Sequence, residues 1–109
     1  STGADVVQAG VLNNTVSVLD ASGPDPGALD AIRVQARVNG SMCARISGNI
    51  ATPGPSTGFF GIYTRQANAA TYNLEGGTGG VAGSNPGTSS IGTIGTINNV
   101  AAGFCSQIP

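Results

Sequence analysis

Few side chains in this 109-residue sequence can do acid–base or metal chemistry, and the carboxylates come first. Asp20, Asp25 and Asp30 follow one another at regular spacing in or beside the first long loop. Carboxylate oxygens held by a loop are ligands that calcium prefers. The spacing is not that of an EF-hand, and aspartate beside proline and glycine is common in turns. We therefore expect turn aspartates here and no metal site.

A second set of residues has the types that polysaccharide cleavage needs, namely acidic residues and arginines on one groove face. Glu75 is the only glutamate, and Arg65 lies ten residues before it. Asp30, Arg33 and Arg37 are spaced to project from one face of a strand. A solvated polar face or an ion pair between subunits explains them more simply, so we expect no catalytic residue.

A glycine-rich stretch at residues 77–82 fits the loose pattern G-x-G-x-x-A of dinucleotide-binding turns. That pattern needs a buried strand before it and a helix after it. Residues 76–90 are rich in glycine, serine and threonine, which predicts the longest loop of the chain. We therefore expect no dinucleotide site and no other cofactor.

The composition excludes further chemistries. The sequence contains no histidine and no lysine, so it has no imidazole base and no Schiff-base amine. Charged residues make up 8% and the formal net charge is -1, so we expect no basic face and no nucleic-acid partner. No apolar window is long enough for membrane insertion. The start at Ser1 fits a processed or excised chain from which any signal peptide has been removed.

The two cysteines, Cys43 and Cys105, are predicted to form one disulfide. Two widely separated cysteines in a small, lysine-free, polar chain are typical of an oxidising compartment. The bond would close a loop of about 60 residues and fix the C-terminal tail to the body. Two buried free thiols are the alternative, whereas a catalytic thiol would lack a base. We expect a secreted, extracellular or cell-surface protein.

The elements that must position these residues are predicted to be short strands joined by glycine-rich turns. Within residues 30–38, apolar and polar residues alternate strictly. The apolar ones are Ile32, Val34, Ala36 and Val38, and the polar ones between them are Arg33, Gln35 and Arg37. Other β-branched or aromatic segments are residues 5–12, 15–19, 41–46, 59–64 and 71–74. The tandem at residues 91–97 has period three, which suggests a bend at a tight corner. We expect a single all-β domain over residues 1–109, with residues 1–12 as an extended N-terminal segment.

Asparagines recur at corners between these segments, at Asn13-Asn14, at Asn49 and at Asn98-Asn99. In a solenoid such residues stack as ladders, each amide bonding the coil above. Ordinary turn asparagine is the alternative, because Asn tolerates a left-handed backbone.

Five stretches together, in their order along the chain, are characteristic: SMCARISGNI at 41–50, GIYTRQ at 61–66, YNLEG at 72–76, NPG at 85–87 and GFC at 103–105. This succession resembles the C-terminal region of secreted bacterial right-handed parallel β-helix proteins, large adhesin-like surface proteins of the pectate-lyase-like superfamily. The resemblance covers residues 31–109. It implies a short parallel β-helix (β-solenoid), or a related small β-fold, with glycine-rich loops, and it supports the pairing of Cys43 with Cys105. It carries over no catalytic residue.

These observations predict a non-enzymatic extracellular structural protein that associates with itself, as a filament or surface-fibre subunit. Such proteins usually have many coils before this region, and an open solenoid end exposes unpaired backbone groups. The alternative is an adhesin-like cap that binds a surface glycan through Tyr63, Tyr72 and residues 76–90. A small carbohydrate-active enzyme using Asp30 or Glu75 is the third possibility.

Overall fold

The computed structural model describes residues 6–18, 30–37, 39–54, 59–88 and 90–106. These ranges contain nine strands and one helix. The strands are β1 (Val6–Leu12), β2 (Thr15–Ser17), β3 (Ile32–Ala36), β4 (Ser41–Ser47), β5 (Ile50–Thr52), β6 (Ile62–Gln66), β7 (Thr71–Glu75), β8 (Ile91–Ile94) and β9 (Asn98–Val100). The helix α1 (Gly77–Ser84) lies between β7 and β8. The chain is therefore mostly β, as the alternating pattern predicts.

The strands form three parallel sheets that the chain visits in turn. Sheet A has the order β1-β4-β7-β9, sheet B is β2-β5, and sheet C is β3-β6-β8. We call β1, β2 and β3 the first layer, β4, β5 and β6 the second, and β7, α1 and β8 the third. Strand β9 adds one further strand to sheet A beyond the third layer. Successive layers therefore place equivalent residues side by side in register.

The core lies between the sheets, where alternate side chains of each strand meet. Val34 and Ala36 of β3 are buried whereas Arg33 is exposed, which confirms the predicted alternation there; Val38 lies outside the described residues. In sheet A, Ala44 pairs with Leu74, and both are fully buried. The apolar cluster draws on all three layers, so each layer covers its neighbours.

Three asparagines form a ladder at the corner between sheets A and B. The amide oxygen of Asn49 accepts hydrogen bonds from the backbone and side-chain nitrogens of Asn14, at 2.9 and 3.0 Å. Asn85 Oδ1 receives the equivalent pair from Asn49, at 2.9 and 2.8 Å. The ladder predicted at Asn14 and Asn49 is present. The third position is Asn85, because Asn98 belongs to β9 and bonds the side chain of Asn73 instead.

The glycine-rich segment predicted as a loop is partly helical, and the loop prediction was wrong for residues 77–84. Four of the eight residues of α1 are glycine, which disfavours a helix. Tertiary contacts offset that cost: Val81 is 1% exposed and joins the apolar cluster, and Asn85 Nδ2 donates to Val81 O at 2.7 Å.

Among the described residues, no helix is long and apolar enough to span a membrane.

The first part of the isoleucine–glycine tandem is a strand, which its period of three does not predict, and the predicted bend lies at the second glycine. Residues Ile91–Ile94 form β8, and Gly95 then adopts a φ of 86°, which favours glycine. Gly95 also packs closely on the backbone of Gln66, and a Cβ there would collide with it. The turn leads into β9, and so the chain returns from sheet C to sheet A.

Candidate functional site

The outer face of sheet C carries a groove of about 370 Å³ that combines aromatic and charged side chains. We call it the sheet C groove; its lining residues are Asp30, Arg33, Phe59, Phe60, Tyr63, Thr93 and Ile94. Small-ligand sites typically combine apolar and aromatic walls with a few placed polar groups. This groove has that combination on three adjacent parallel strands.

The register of sheet C sets the centre of the groove. Arg33, Tyr63 and Gly92 are direct neighbours on β3, β6 and β8. The guanidinium carbon of Arg33 lies 5.1 Å from the centroid of the Tyr63 ring, within cation–π range. The Phe60 ring stacks on Tyr63 with centroids 5.6 Å apart and planes 24° apart. Three planar groups therefore stand side by side across the sheet.

Phe60 takes the position that a side chain on Gly92 would otherwise fill. A Cβ at Gly92 would lie 2.5 Å from two atoms of the Phe60 ring, which is too close for any real contact. The missing side chain thus lets the aromatic ring lie directly on β8. The sequence alone shows this glycine only as part of a tandem, so its role in the groove depends on the fold.

The carboxylate of Asp30 is anchored at one side of the groove. Its Oδ1 accepts a hydrogen bond of 2.7 Å from the backbone N–H of Phe60. Asp20 and Asp25, the other two aspartates of the candidate calcium set, lie outside the described residues. Within the described ranges, no group of three Cys, Asp or Glu side chains is placed to hold a metal ion.

Three of the four arginines lie on this same side of the molecule. Arg33 and Arg65 alternate with inward residues on β3 and β6, and Arg37 is exposed directly after β3. No hydrogen bond to these three guanidinium groups is formed within the part of the chain that the structure describes. Among the described residues, these three arginines thus share the sheet C side of the molecule with the carboxylate of Asp30.

The fourth arginine has a different role, on the outer face of sheet A. Arg45 binds Glu75 through two contacts, Nε to Oε1 at 2.9 Å and Nη2 to Oε2 at 3.2 Å. The backbone N–H groups of Gly103 and Cys105 donate to the same carboxylate at 3.0 and 2.8 Å. Glu75 thereby joins strands β4 and β7 to the C-terminal tail.

The contacts of Glu75 disfavour its use as the catalytic acid of a carbohydrate-active enzyme. The hydrogen bonds from Arg45, with those of the two backbone N–H groups, lower the pKa of Glu75 to about 2 despite the opposing effect of burial. A general acid works best with a pKa near the working pH, so this carboxylate is poorly suited to donate a proton at neutral pH. Glu75 also lies on sheet A, whereas Arg65 and Asp30 lie on or beside sheet C, so the fold does not bring these residues together.

The predicted disulfide between Cys43 and Cys105 is present, with Cα atoms 5.5 Å apart. Cys43 lies on β4 and Cys105 in the tail, and both are buried beside Leu12 of β1. The tail therefore crosses sheet A from β9 back to β4, with Glu75 as its second attachment. Neither cysteine is a free thiol.

Of the two tyrosines predicted for glycan contact, Tyr63 is half-buried and lines the sheet C groove, whereas Tyr72 does not reach the surface. Tyr72 is fully buried, its hydroxyl donates to Val34 O at 3.3 Å, and burial raises the pKa of that hydroxyl. Helix α1 occupies much of residues 76–90, and the Asn99 side chain packs on Gly77 at its start. Phe59, Phe60 and Arg33, which line the groove, were not predicted as contacts because nothing in their spacing shows that they converge on Tyr63.

Comparison with known proteins adds no relative. A scan against protein-family models gave no match, and searches of the curated proteins and of the solved structures gave none either. The function is therefore inferred from this chain's own contacts, chiefly the three stacked layers, the tethered tail and the sheet C groove.

Proposed function

We propose that the chain is a short parallel β-helix that acts as a non-enzymatic extracellular structural module. Three features support the β-helix: strictly parallel pairing, chain passage through sheets A, B and C in turn, and the asparagine ladder at one corner. Such stacks of similar layers bury a continuous core only between neighbouring layers. The disulfide supports an extracellular location, since such bonds persist in oxidising compartments.

The observation that carries the proposal is the difference between the two ends of the stack. Val7, Met42 and Tyr72 are neighbours across β1, β4 and β7, and we call such a row of core-facing residues an inward column. Val7, in the first layer, is 38% exposed, whereas Met42 and Tyr72 are 8% and 0% exposed. Strands β1, β2 and β3 are edges of their sheets, as β9, β5 and β8 are on the opposite side, so the exposed apolar side chain is what distinguishes the first layer. The first layer thus presents apolar side chains together with strand edges, which favour pairing with another chain.

The opposite end of the stack is closed by different residues. In the next inward column, Asn99 of β9 follows Leu74, so a polar side chain ends the column. Helix α1 contacts β7 and β9 of sheet A and β8 of sheet C, and it buries Val81 in the core. A polar outer face is typical of the terminal repeat of a stacked protein.

We therefore propose that two copies associate through their first layers. Pairing of like ends is isologous and closes, whereas head-to-tail stacking would give a filament. Head-to-tail stacking would set the apolar first layer against Asn99 and α1, a poorer match than a second first layer. The proposal thus keeps self-association and favours a closed pair over a fibre.

Sedimentation velocity at micromolar concentration tests this proposal. We expect a dimer for the native chain and a monomer for Val7→Lys, because a charge in the apolar end face would have to be desolvated on association. Ile50→Lys is the matched control: Ile50 is 47% exposed but lies on β5 of the second layer, so the dimer should persist. A native chain that stays monomeric would overturn self-association, and long polymers in electron micrographs would overturn the closed pair.

A second candidate is a terminal cap on a longer β-helix, and the polar, helix-covered end favours it. In that case the first layer would dock on preceding coils of the same polypeptide. Fusion to three or more preceding layers should then raise the unfolding temperature of the module and protect the amides of β1 from hydrogen exchange. Unchanged exchange in β1 after fusion would exclude the cap.

A further inference from the structure

We propose that the sheet C groove binds a small zwitterion in which a short chain joins a quaternary ammonium to an anionic group, the chemistry of phosphocholine. The groove is formed on the outer face of sheet C, whereas the proposed self-association uses the core-facing side chains and strand edges of the first layer. The inference therefore goes beyond the structural role and does not depend on self-association.

The two charged residues of the groove lie at different levels along sheet C. Asp30 and Phe60 both precede their strands, and the hydrogen bond from Phe60 N–H to Asp30 Oδ1 holds the carboxylate at this level. Arg33 and Tyr63 are the second residues of β3 and β6, and they are direct neighbours in the sheet. Three residues of extended chain span about 10 Å. Within the described ranges, Asp30 and Arg33 form no ion pair with each other, so the groove has a negative end and a positive end.

The negative end suits a quaternary ammonium. Phe59 and Phe60 line the groove together with Asp30. Both aromatic side chains are half-buried, so packing restrains each ring while part of it still reaches solvent. Aromatic rings attract alkylated ammonium groups, and the nearby carboxylate adds an opposite charge. A trimethylammonium group at this end would therefore meet apolar surface and a counter-charge together.

The positive end suits an anion. The guanidinium carbon of Arg33 lies 5.1 Å from the centroid of the Tyr63 ring, and the residue is exposed. Guanidinium groups bind phosphate and carboxylate through paired hydrogen bonds. Because the contact with Tyr63 already orients the guanidinium, less side-chain freedom is lost when an anion binds.

Size and charge balance exclude simpler ligands. The volume of about 370 Å³ is at the small end of the range for small-ligand sites, about 300–1,000 Å³, so the groove suits one small molecule. The described lining holds one arginine and one carboxylate, so its charges balance. An anion alone would also face Asp30, and a cation alone would also face Arg33. A zwitterion matches both ends.

Isothermal titration calorimetry of the native chain tests the site with three probes: phosphocholine, choline and inorganic phosphate. Choline carries only the ammonium group, and phosphate carries only the anion. We expect saturable binding of phosphocholine, with each half bound at least about tenfold more weakly because it leaves one end of the groove without a partner. Equal affinity for either half, or no saturable binding of phosphocholine, would overturn the proposal.

A second measurement distinguishes two sources of the same ligand chemistry. Co-sedimentation with phosphatidylcholine vesicles that excess free phosphocholine reverses would assign the site to a lipid headgroup. Binding of free phosphocholine without binding to vesicles would assign it to a soluble or polymer-linked form.

Variants locate the site. Arg33→Gln should weaken phosphocholine binding roughly tenfold, as expected for one charge-assisted hydrogen bond, and leave the weaker binding of choline unchanged. Asp30→Asn should weaken both, and its amide oxygen can still accept the Phe60 N–H. Arg37→Gln is the matched control, since Arg37 is exposed directly after β3 and does not line the groove. Unchanged affinity in Arg33→Gln, or an equal loss in Arg37→Gln, would overturn the assignment.

Discussion

The side-chain oxygen of Asn85 accepts two hydrogen bonds from Asn49, one from its backbone nitrogen at 2.9 Å and one from its amide at 2.8 Å. Asn49 and Asn85 are 0% and 1% exposed, so these bonds are shielded from water. Asn49 Nδ2 also donates to Val11 O, and Asn85 Nδ2 to Ile46 O. The pair thus satisfies buried backbone groups in two layers and fixes the layers in register.

Replacement of Asn49 by alanine should therefore be costly. It would leave buried polar groups of Val11 and Asn85 without partners, which corresponds to a loss of about 3 kcal/mol in the free energy of unfolding. Urea denaturation measures this loss. Asn73→Ala is the control, because the Asn73–Asn98 bond is exposed and its removal should cost under about 0.5 kcal/mol. Similar losses in both variants would contradict a special role for the buried ladder.

Removal of the disulfide should destabilise the protein through the unfolded state. Cys43 and Cys105 are 62 residues apart, and cross-linking a loop of that length contributes about 4 kcal/mol on the chain-entropy estimate. We expect the double variant Cys43→Ala, Cys105→Ala to lose about that amount in urea denaturation. The tail should also become accessible to protease. A double variant as stable as the native chain would show that Glu75 alone holds the tail.

Stability should fall at acidic pH through Glu75. Its pKa is lowered from 4.5 to about 2 in the folded state, so the folded chain binds a proton at Glu75 more weakly than the unfolded chain does. The contribution is complete above about pH 4.5 and disappears as the pH falls through 2. Glu75→Gln should lower the free energy of unfolding by roughly 1–2 kcal/mol at neutral pH.

The difference between the native chain and Glu75→Gln should then shrink between pH 4.5 and 2. Thermal unfolding across this pH range measures it. A constant difference at all pH values would mean that the Glu75 charge does not contribute to stability.

Addition of a single methyl group at Gly92, which lies against the Phe60 ring, should lower the free energy of unfolding. Gly92→Ala places a Cβ 2.5 Å from the Phe60 ring and should cost roughly 1–3 kcal/mol as the ring is displaced. Gly79→Ala in α1 is the matched control: nothing lies within 4 Å of its Cβ position, so it should stabilise the helix by up to about 1 kcal/mol. Denaturation of both variants should give opposite signs. A neutral Gly92→Ala would indicate that Phe60 does not need this glycine.

Strands whose side chains alternate strictly were predicted well from the sequence. Residues 30–38 were expected to bury one face, and β3 buries Val34 and Ala36. Residues 41–46 and 71–74 were expected to be extended, and β4 and β7 include them. The period-two pattern succeeds in β3 because one face of the strand meets the core and the other meets solvent, whereas in β4 the outward-facing Cys43 is also buried, beside Cys105 of the tail.

The strand predicted at residues 59–64 begins and ends later along the chain in the structure. The strand β6 begins at Ile62 and ends at Gln66, and Phe60 instead reaches sideways over Gly92. Aromatic residues favour strands on average, but here the aromatic side chain serves a contact with a different strand. Local propensity contains no information on that contact.

The sequence by itself predicted most of the short strands, the disulfide between its two cysteines and the corner positions of Asn14 and Asn49. These features depend on residue types and on periods of a few residues, which local geometry imposes wherever the strand lies. The tertiary structure decided the helix at residues 77–84, the third ladder position at Asn85, the Arg45–Glu75 attachment of the tail and the sheet C groove. Each of these depends on contacts between residues about 30 or more positions apart, or on burial that offsets poor helix propensity, and only the stacking of layers supplies such contacts.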